Sequence, residues 1–232
     1  MKFHSTRQKN GLPVSVGIGV SQAMEQGLAP DGGLYVPERF PAHADAVSHA
    51  EWLQPFFGGD PLAPTLPQIC ARALDFPIPL KHLGDTTAVL ELFHGPTAAF
   101  KDVGARFLAE CFAELDRLNP PREPRLILVA TSGDTGGAVA AAFHGKPGTE
   151  VAVLFPDQGV SALQRHQLTC WGDNVHAFAV EGTFDDCQRM VKESFAMPAW
   201  AQGRRLTSAN SINIGRLLPQ TLYYAQASWR YL

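Results

Sequence analysis

The run Arg-Leu-Ile-Leu-Val-Ala at Arg125–Ala130 constrains this chain more than any other stretch. An apolar run without alternation reads as a strand buried on both faces, a setting that a parallel sheet with helices on each side provides. The next residues fit that setting: Thr131-Ser132-Gly133-Asp134-Thr135-Gly136-Gly137 reads as a turn, and Ala138–Phe143 as an alanine-rich helix. The alternation repeats, with strand-like Glu150–Phe155, helix-like Val160–Trp171, strand-like Asn174–Val180, helix-like Phe184–Phe195 and a short strand at Leu206–Ala209. Strands alternating with helices imply βαβ units, so the expected fold is α/β with a doubly wound, mostly parallel sheet. Ligands of such sheets bind beyond the carboxyl ends of the strands, where the loops at Ser132 and Asn210 are both expected.

Three stretches carry polar chemistry. In Leu92–Asp102, Lys101 follows small and apolar residues from Gly95 to Phe100 and opens a helical stripe of Val103, Phe107, Leu108, Phe112 and Leu115. An ammonium in dry surroundings loses its proton readily, and the neutral amine is a nucleophile that forms Schiff bases with carbonyls. Residue types alone favour the blander alternative, a lysine snorkelling at a helix start. The turn Thr131–Gly137 places free amides and hydroxyls at a positive helix end, which suits a phosphate or a carboxylate. An ordinary βα turn capped by Asp134 or Thr135 uses the same residues. The turn has neither the P-loop spacing with its lysine nor Gly-x-Gly-x-x-Gly. Finally, Asn210–Arg216 gathers two amides and a guanidinium in one short loop, a set that holds an anion or merely forms a turn beside a solvated arginine.

The segment 1–84 has another texture. Val14–Val20 alternates Val and Ile with Gly and Ser, Ser21–Gly27 has the makings of a short helix, and Ala29–Pro37 gives a turn and then a short strand. Prolines at 41, 55, 61, 64, 67, 77 and 79 keep later helices short, so a capping segment with irregular loops is expected. From Asp85 the texture changes, and strand-like Ala88–Phe93 leads into the Lys101 stretch; the expected division is therefore 1–84 and 85–232. A net charge of −3 gives no electrostatic case for nucleic acid or an anionic membrane. No apolar run approaches the roughly 20 residues of a membrane span, and Met1–Arg7 has no apolar stretch behind its charges, so no signal peptide is expected. Cys70, Cys111, Cys170 and Cys187 are far apart, which points to buried, reduced thiols and a cytoplasmic chain. The scattered histidines, with a lone Glu91-Leu-Phe-His94, give no metal-ligand spacing.

Taken together, Ser5-Thr6-Arg7, Gly27–Pro37, Phe93–Thr97 with Phe100-Lys101-Asp102, Thr131–Gly136, and Asn210–Asn213 with Gly215–Gln220 resemble the threonine synthase family. Glu181–Gln188 is a sixth, less chemical piece, for which a structural role is expected. The resemblance extends over essentially the whole chain and reverses the balance at Lys101 in favour of catalysis. It implies a tryptophan synthase β-like (fold type II) enzyme that uses pyridoxal 5'-phosphate. It implies that Lys101, with Phe100 beside it, holds the cofactor through a Schiff base and later shuttles protons. By the same resemblance, Ser132, Gly133, Asp134 and Thr135 receive the substrate's α-carboxylate, and Asn210, Asn213 and Arg216 its phosphate. The family's substrate is O-phospho-L-homoserine, and its products are L-threonine and phosphate. The chain departs from the family in length: members run to roughly twice its size, and their later half carries a glycine-rich phosphate loop and a group facing the pyridine nitrogen. Neither is present after Arg216, and the Leu, Tyr and Trp residues of the helix-like Leu217–Leu232 have no later strand to cover them, so an amino-terminal portion, incomplete at the C-terminus, is expected. Two other readings stay open at this point: a related lyase of a different phosphorylated amino acid, and a non-catalytic binding module.

Overall fold

The computed structural model describes residues 1–9, 12–13, 17–42 and 48–231. Part of the alternating Val14–Val20 stretch therefore lies outside the described residues. The strands are β1 Phe3–Ser5, β2 Gln8–Lys9, β3 Leu12–Pro13, β4 Tyr35–Pro37, β5 Leu80–His82, β6 Ala88–Leu90, β7 Arg125–Ala130, β8 Thr149–Pro156, β9 Val175–Val180 and β10 Arg205–Ser208. The α-helices are α1 Val20–Gln26, α2 His49–Leu53, α3 Leu66–Ala73, α4 Lys101–Leu118, α5 Asp134–Phe143, α6 Ala162–Thr169, α7 Phe184–Ala196, α8 Ile214–Leu217 and α9 Thr221–Tyr231.

Strands β7 to β10 form one parallel sheet in the order β10-β7-β8-β9, with Thr207, Ile127, Val151 and Val175 in register across it. Every residue of β7 is buried, as its unbroken apolar run requires. Successive side chains go to opposite faces. Ile127 and Val129 join Val151, Val153 and Phe155 against Phe107 and Ala109 of α4 and Ala138 to Phe143 of α5. Leu128, Ala130 and Leu154 instead meet Cys187 and Val191 of α7. Helices on both faces make this the doubly wound α/β arrangement expected. The chain moves outward from β7 to β8 to β9 and then returns through α7 to place β10 on the other side of β7. That reversal opens a crevice between the carboxyl ends of β7 and β10.

Ala88–Phe93 does not join this sheet: only Ala88–Leu90 is a strand, and it pairs antiparallel with β5 in a two-stranded hairpin. Short apolar runs do not reveal their partner, and this one found a local one. Cys70, Cys111 and Cys187 are buried free thiols, but Cys170 is exposed, contrary to the expectation for all four. Pro219 breaks the helix-like Leu217–Leu232 into α8, a 3-10 turn and α9. Earlier parts of the chain cover the first half of α9, where Leu222, Tyr223, Ala225 and Gln226 are buried, but Tyr224 stays 78% exposed and Trp229, which meets Trp52 edge-on at 5.3 Å, 41% exposed. The Trp52 Nε1 donates to Thr221 Oγ1 at 2.9 Å, and the Arg230 guanidinium to the Ile78 carbonyl at 2.6 Å. At the amino end, Phe3 is fully buried in the same core, and β1 pairs antiparallel with β4.

Candidate active site

The crevice between β7 and β10 holds a cavity of about 490 Å³. A larger one, about 760 Å³ and lined by Glu25, Asp60 and Arg205 among others, lies by the first residue of β10 and so at the opposite end of the sheet. Size favours the second and fold logic the first, since a doubly wound sheet gathers loops and helix N-termini at its carboxyl ends.

Lys101 is the first residue of α4 and lines the β7/β10 cavity, with its side chain 21% exposed. Its surroundings are not the wholly dry ones expected. The amine lies 3.5 Å from the Asp134 carboxylate and 4.1 Å from the centroid of the Phe100 ring. The preceding backbone is fixed by Asp102, 1% exposed, which accepts from the Thr97 amide at 2.9 Å and the Thr97 hydroxyl at 2.6 Å. The buried Tyr223 hydroxyl donates to the Phe100 carbonyl, and burial pushes that phenol well above its ordinary range.

Across the cavity, the turn after β7 is organised by Thr131. Its buried hydroxyl oxygen accepts the amides of Gly133 (3.0 Å) and Gly136 (2.9 Å), so neither Asp134 nor Thr135 is the cap. Gly133 has φ of 143°, open to glycine alone, and a Cβ there would run into the Gln164 amide group. With the turn held from behind, Ser132 and Thr135 line the cavity, and their hydroxyls bond to no other described residue. The amides of Asp134 and Thr135 sit at the open end of α5. Gly133 and Asp134 do not line the cavity. The resemblance puts Asp134 on the substrate's carboxylate, where like charges repel; the structure instead sets it between Lys101 and the Gln164 amide, at 2.9 Å from the latter.

The loop after β10 contributes Asn210, Ser211 and Ile212 to the wall. Strand β10 stops at Ser208, so Ala130 has no strand neighbour there, and the Asn210 amide takes its place, accepting from the Ala130 N–H (3.2 Å) and donating to its carbonyl (2.8 Å). Asn213 is fully buried away from the cavity and caps α8: its oxygen accepts from the Gly215 amide, and its nitrogen donates to the Met24 and Ser208 carbonyls. With that bonding capacity used, Asn213 holds the loop rather than a ligand, contrary to expectation. Arg216 does line the cavity, although only 2% exposed. Its Nη1 donates to the Ala209 carbonyl at 2.6 Å, while its buried Nε has no partner among the described residues. Burial pulls its pKa down to about 10, partly offset by Tyr223, so it remains a cation at neutral pH. Gly104 of α4 makes room for this guanidinium, since a Cβ there would lie 2.8 Å from the Arg216 Nε.

Sequence reasoning missed the fourth wall. Phe184, Gln188, Val191 and Lys192 of α7 line the cavity, and their i, i+4, i+7, i+8 spacing was the available signal. Gln220 was missed as well.

An amine, an anion-receiving turn and a buried guanidinium around one cavity suit an aldehyde cofactor and an anionic substrate. The family model described as pyridoxal-phosphate dependent enzyme matches residues 74–214, and that described as threonine synthase N terminus matches residues 2–58. Threonine synthase of Serratia marcescens is 39% identical over 98% of this chain and 53% of its own length. That of Escherichia coli (strain K12) is 38% identical over 98% and 54%. The solved threonine synthase of Escherichia coli superposes with a TM-score of 0.82 over 97% of this chain and 53% of that one, at 35% identity. A pyridoxal-phosphate-bound threonine synthase from Brucella melitensis gives 0.79 over 98% and 51%, at 36% identity. The chain thus spans about half the length of the curated relatives it matches. It belongs to the pyridoxal-phosphate dependent enzyme family and carries the amino-terminal segment characteristic of threonine synthases.

Proposed function

We propose that this chain supplies the condensing lysine and the anion-binding walls of a threonine synthase, a lyase converting O-phospho-L-homoserine and water to L-threonine and phosphate. The observation that carries this reading is the grouping of Lys101, the Ser132–Thr135 turn and Arg216 around one cavity. Its residues fit pyridoxal phosphate at the aldehyde end: Lys101 lines the cavity, with its Nζ 4.1 Å from the centroid of the Phe100 ring. When bound, that cofactor supplies the aldehyde and a ring able to accept electrons from a deprotonated carbon.

The chain's own groups do the rest. The Ser132 and Thr135 hydroxyls and the open amides of α5 grip the substrate's α-carboxylate, which orients its α-carbon toward Lys101. Lys101 Nζ, when free, would be the base that takes the α-proton and later returns one. Asp134, tied to Gln164, restrains that amine at the cavity mouth. Arg216 faces the leaving phosphate with a charge desolvated in advance, so it needs little reorganisation as the dianion departs. This reading carries with it a cytoplasmic location and a division of the chain at 84/85 into an amino-terminal segment and a catalytic region.

The test is borohydride reduction of the chain incubated with pyridoxal phosphate, followed by peptide mapping. The expected outcome is a phosphopyridoxyl group on Lys101, lost in Lys101→Ala together with the long-wavelength Schiff-base absorbance. Labelling spread over other lysines, with that absorbance intact in Lys101→Ala, would overturn the reading. Taken by itself, a chain of about half its relatives' length is expected to release little or no phosphate from O-phospho-L-homoserine.

A further inference from the structure

The charges lining the β7/β10 cavity do not balance. Lys101, Lys192 and Arg216 all line it, and no aspartate or glutamate does. Lys101 has Asp134 beside it at 3.5 Å. Arg216 forms no ion pair among the described residues, and the hydrogen bond its guanidinium makes among them goes to a neutral carbonyl. Lys192 forms no ion pair among the described residues either. Its own helix has acids to offer, yet Arg189 engages both Asp186 (3.0 Å) and Glu193 (3.4 Å). Two cations thus face one cavity uncompensated, one buried and rigid, the other exposed on a flexible stem. The neutral donors beside them, Gln188, Ser211 and Gln220, add hydrogen-bonding capacity without charge. A monoanion would leave this set in excess; a dianion with three oxygens matches it.

We propose that Lys192, together with Arg216, seats the phosphomonoester dianion of the substrate, and that Lys192 thereby selects a phosphorylated side chain over a neutral or carboxylated one. The inference rests on the function proposed above. It assigns α7, which the sequence marked only as structural, to specificity: Cys187 and Val191 pack on the sheet, while Gln188 and Lys192 line the cavity beside them. The division of labour between the two cations follows from their burial. Arg216 fixes where the phosphate sits, and Lys192 adds attraction that salt screens, since it works at the exposed mouth.

The experiment measures binding of inorganic phosphate to the full chain at fixed ionic strength, with and without saturating pyridoxal phosphate. Wild type is expected to bind phosphate in both conditions. Lys192→Gln should weaken that binding roughly fivefold, an exposed charge-assisted contact being lost. Lys192→Arg should restore it, and Lys81→Gln, a surface control outside the cavity, should leave it unchanged. Equal affinity in wild type and Lys192→Gln, failure of the arginine to restore it, or no phosphate binding by wild type would each overturn the proposal. Phosphate binding abolished by pyridoxal phosphate would also overturn it, because the seat would then belong to the cofactor's own phosphate. Failure of the parent reading shows separately, as absence of the Lys101 adduct in the borohydride experiment, which phosphate affinity does not report.

Discussion

Replacing Asp102 by alanine tests what holds Lys101 in place. The carboxylate is buried beneath the 95–100 loop and accepts two hydrogen bonds from Thr97, one from the amide and one from the hydroxyl. Both donors lose their partner in Asp102→Ala. Bonds to a charged acceptor contribute roughly 1.5 kcal/mol each, and an acid in the first helical turn adds about 0.5 kcal/mol. The loss is therefore about 3–4 kcal/mol, a large part of the stability of an ordinary domain. In urea, with a slope near ~2.5 kcal/mol/M for a chain of this size, the midpoint should fall by roughly 1.4 M. Asp102→Asn keeps the shape and one acceptor, so about half that shift is expected. The loop also sets the backbone of Phe100 and Lys101, so the rate of pyridoxal phosphate incorporation at Lys101 should fall in both variants even where they are fully folded. A midpoint shift below about 0.3 M for Asp102→Ala would refute the account, because the Thr97 donors would then be satisfied without the carboxylate.

Two further predictions concern the walls of the site. Gly104→Ala should lower the thermal midpoint by roughly 2–8 °C: the ~1 kcal/mol of helix propensity gained is outweighed by ~2–3 kcal/mol of crowding against the Arg216 Nε and carbonyl oxygen, both 2.8 Å from the new Cβ. A raised midpoint would show that Arg216 yields freely. The Thr183 amide and hydroxyl and the Arg189 guanidinium hold the Asp186 carboxyl at about 2 rather than its ordinary 3.8. A depressed carboxyl pKa stabilises the fold above the unfolded value and stops doing so as the pH falls through the folded one. The melting-temperature gap between wild type and Asp186→Ala should therefore be full above pH 3.8 and close as the pH falls to about 2. A gap that stays constant over that range would refute the assignment.

The parts of this molecule that could be read from its sequence are those settled by neighbours along the chain. The unbroken apolar run of β7 required cover on both faces, and it obtained it from α4 and α5 on one side and α7 on the other. The Lys101 helix and the Ser132 turn were legible for the same local reason. Partners set by the fold were not. Nothing around Asn213 announces that its amide would be used up on Met24 and Ser208, and in sequence Asn210 and Asn213 look equivalent. Asp134 shares its neighbours with the anion-receiving turn, although a carboxylate suits a lysine better than another carboxylate. The α7 wall escapes notice because Gln188 and Lys192 have the look of an ordinary solvated helix surface until the sheet brings them to the crevice.

The clasp between Trp52 and Thr221 joins positions 169 residues apart. A ribosome adding about 5–20 residues per second needs on the order of ten to thirty seconds to make that span. Throughout that interval the nascent amino-terminal segment lacks the partner that closes over α2. Its apolar surface then faces water, and the edge-on meeting of Trp52 with Trp229 becomes an intrinsic fluorescent reporter of the moment α9 docks.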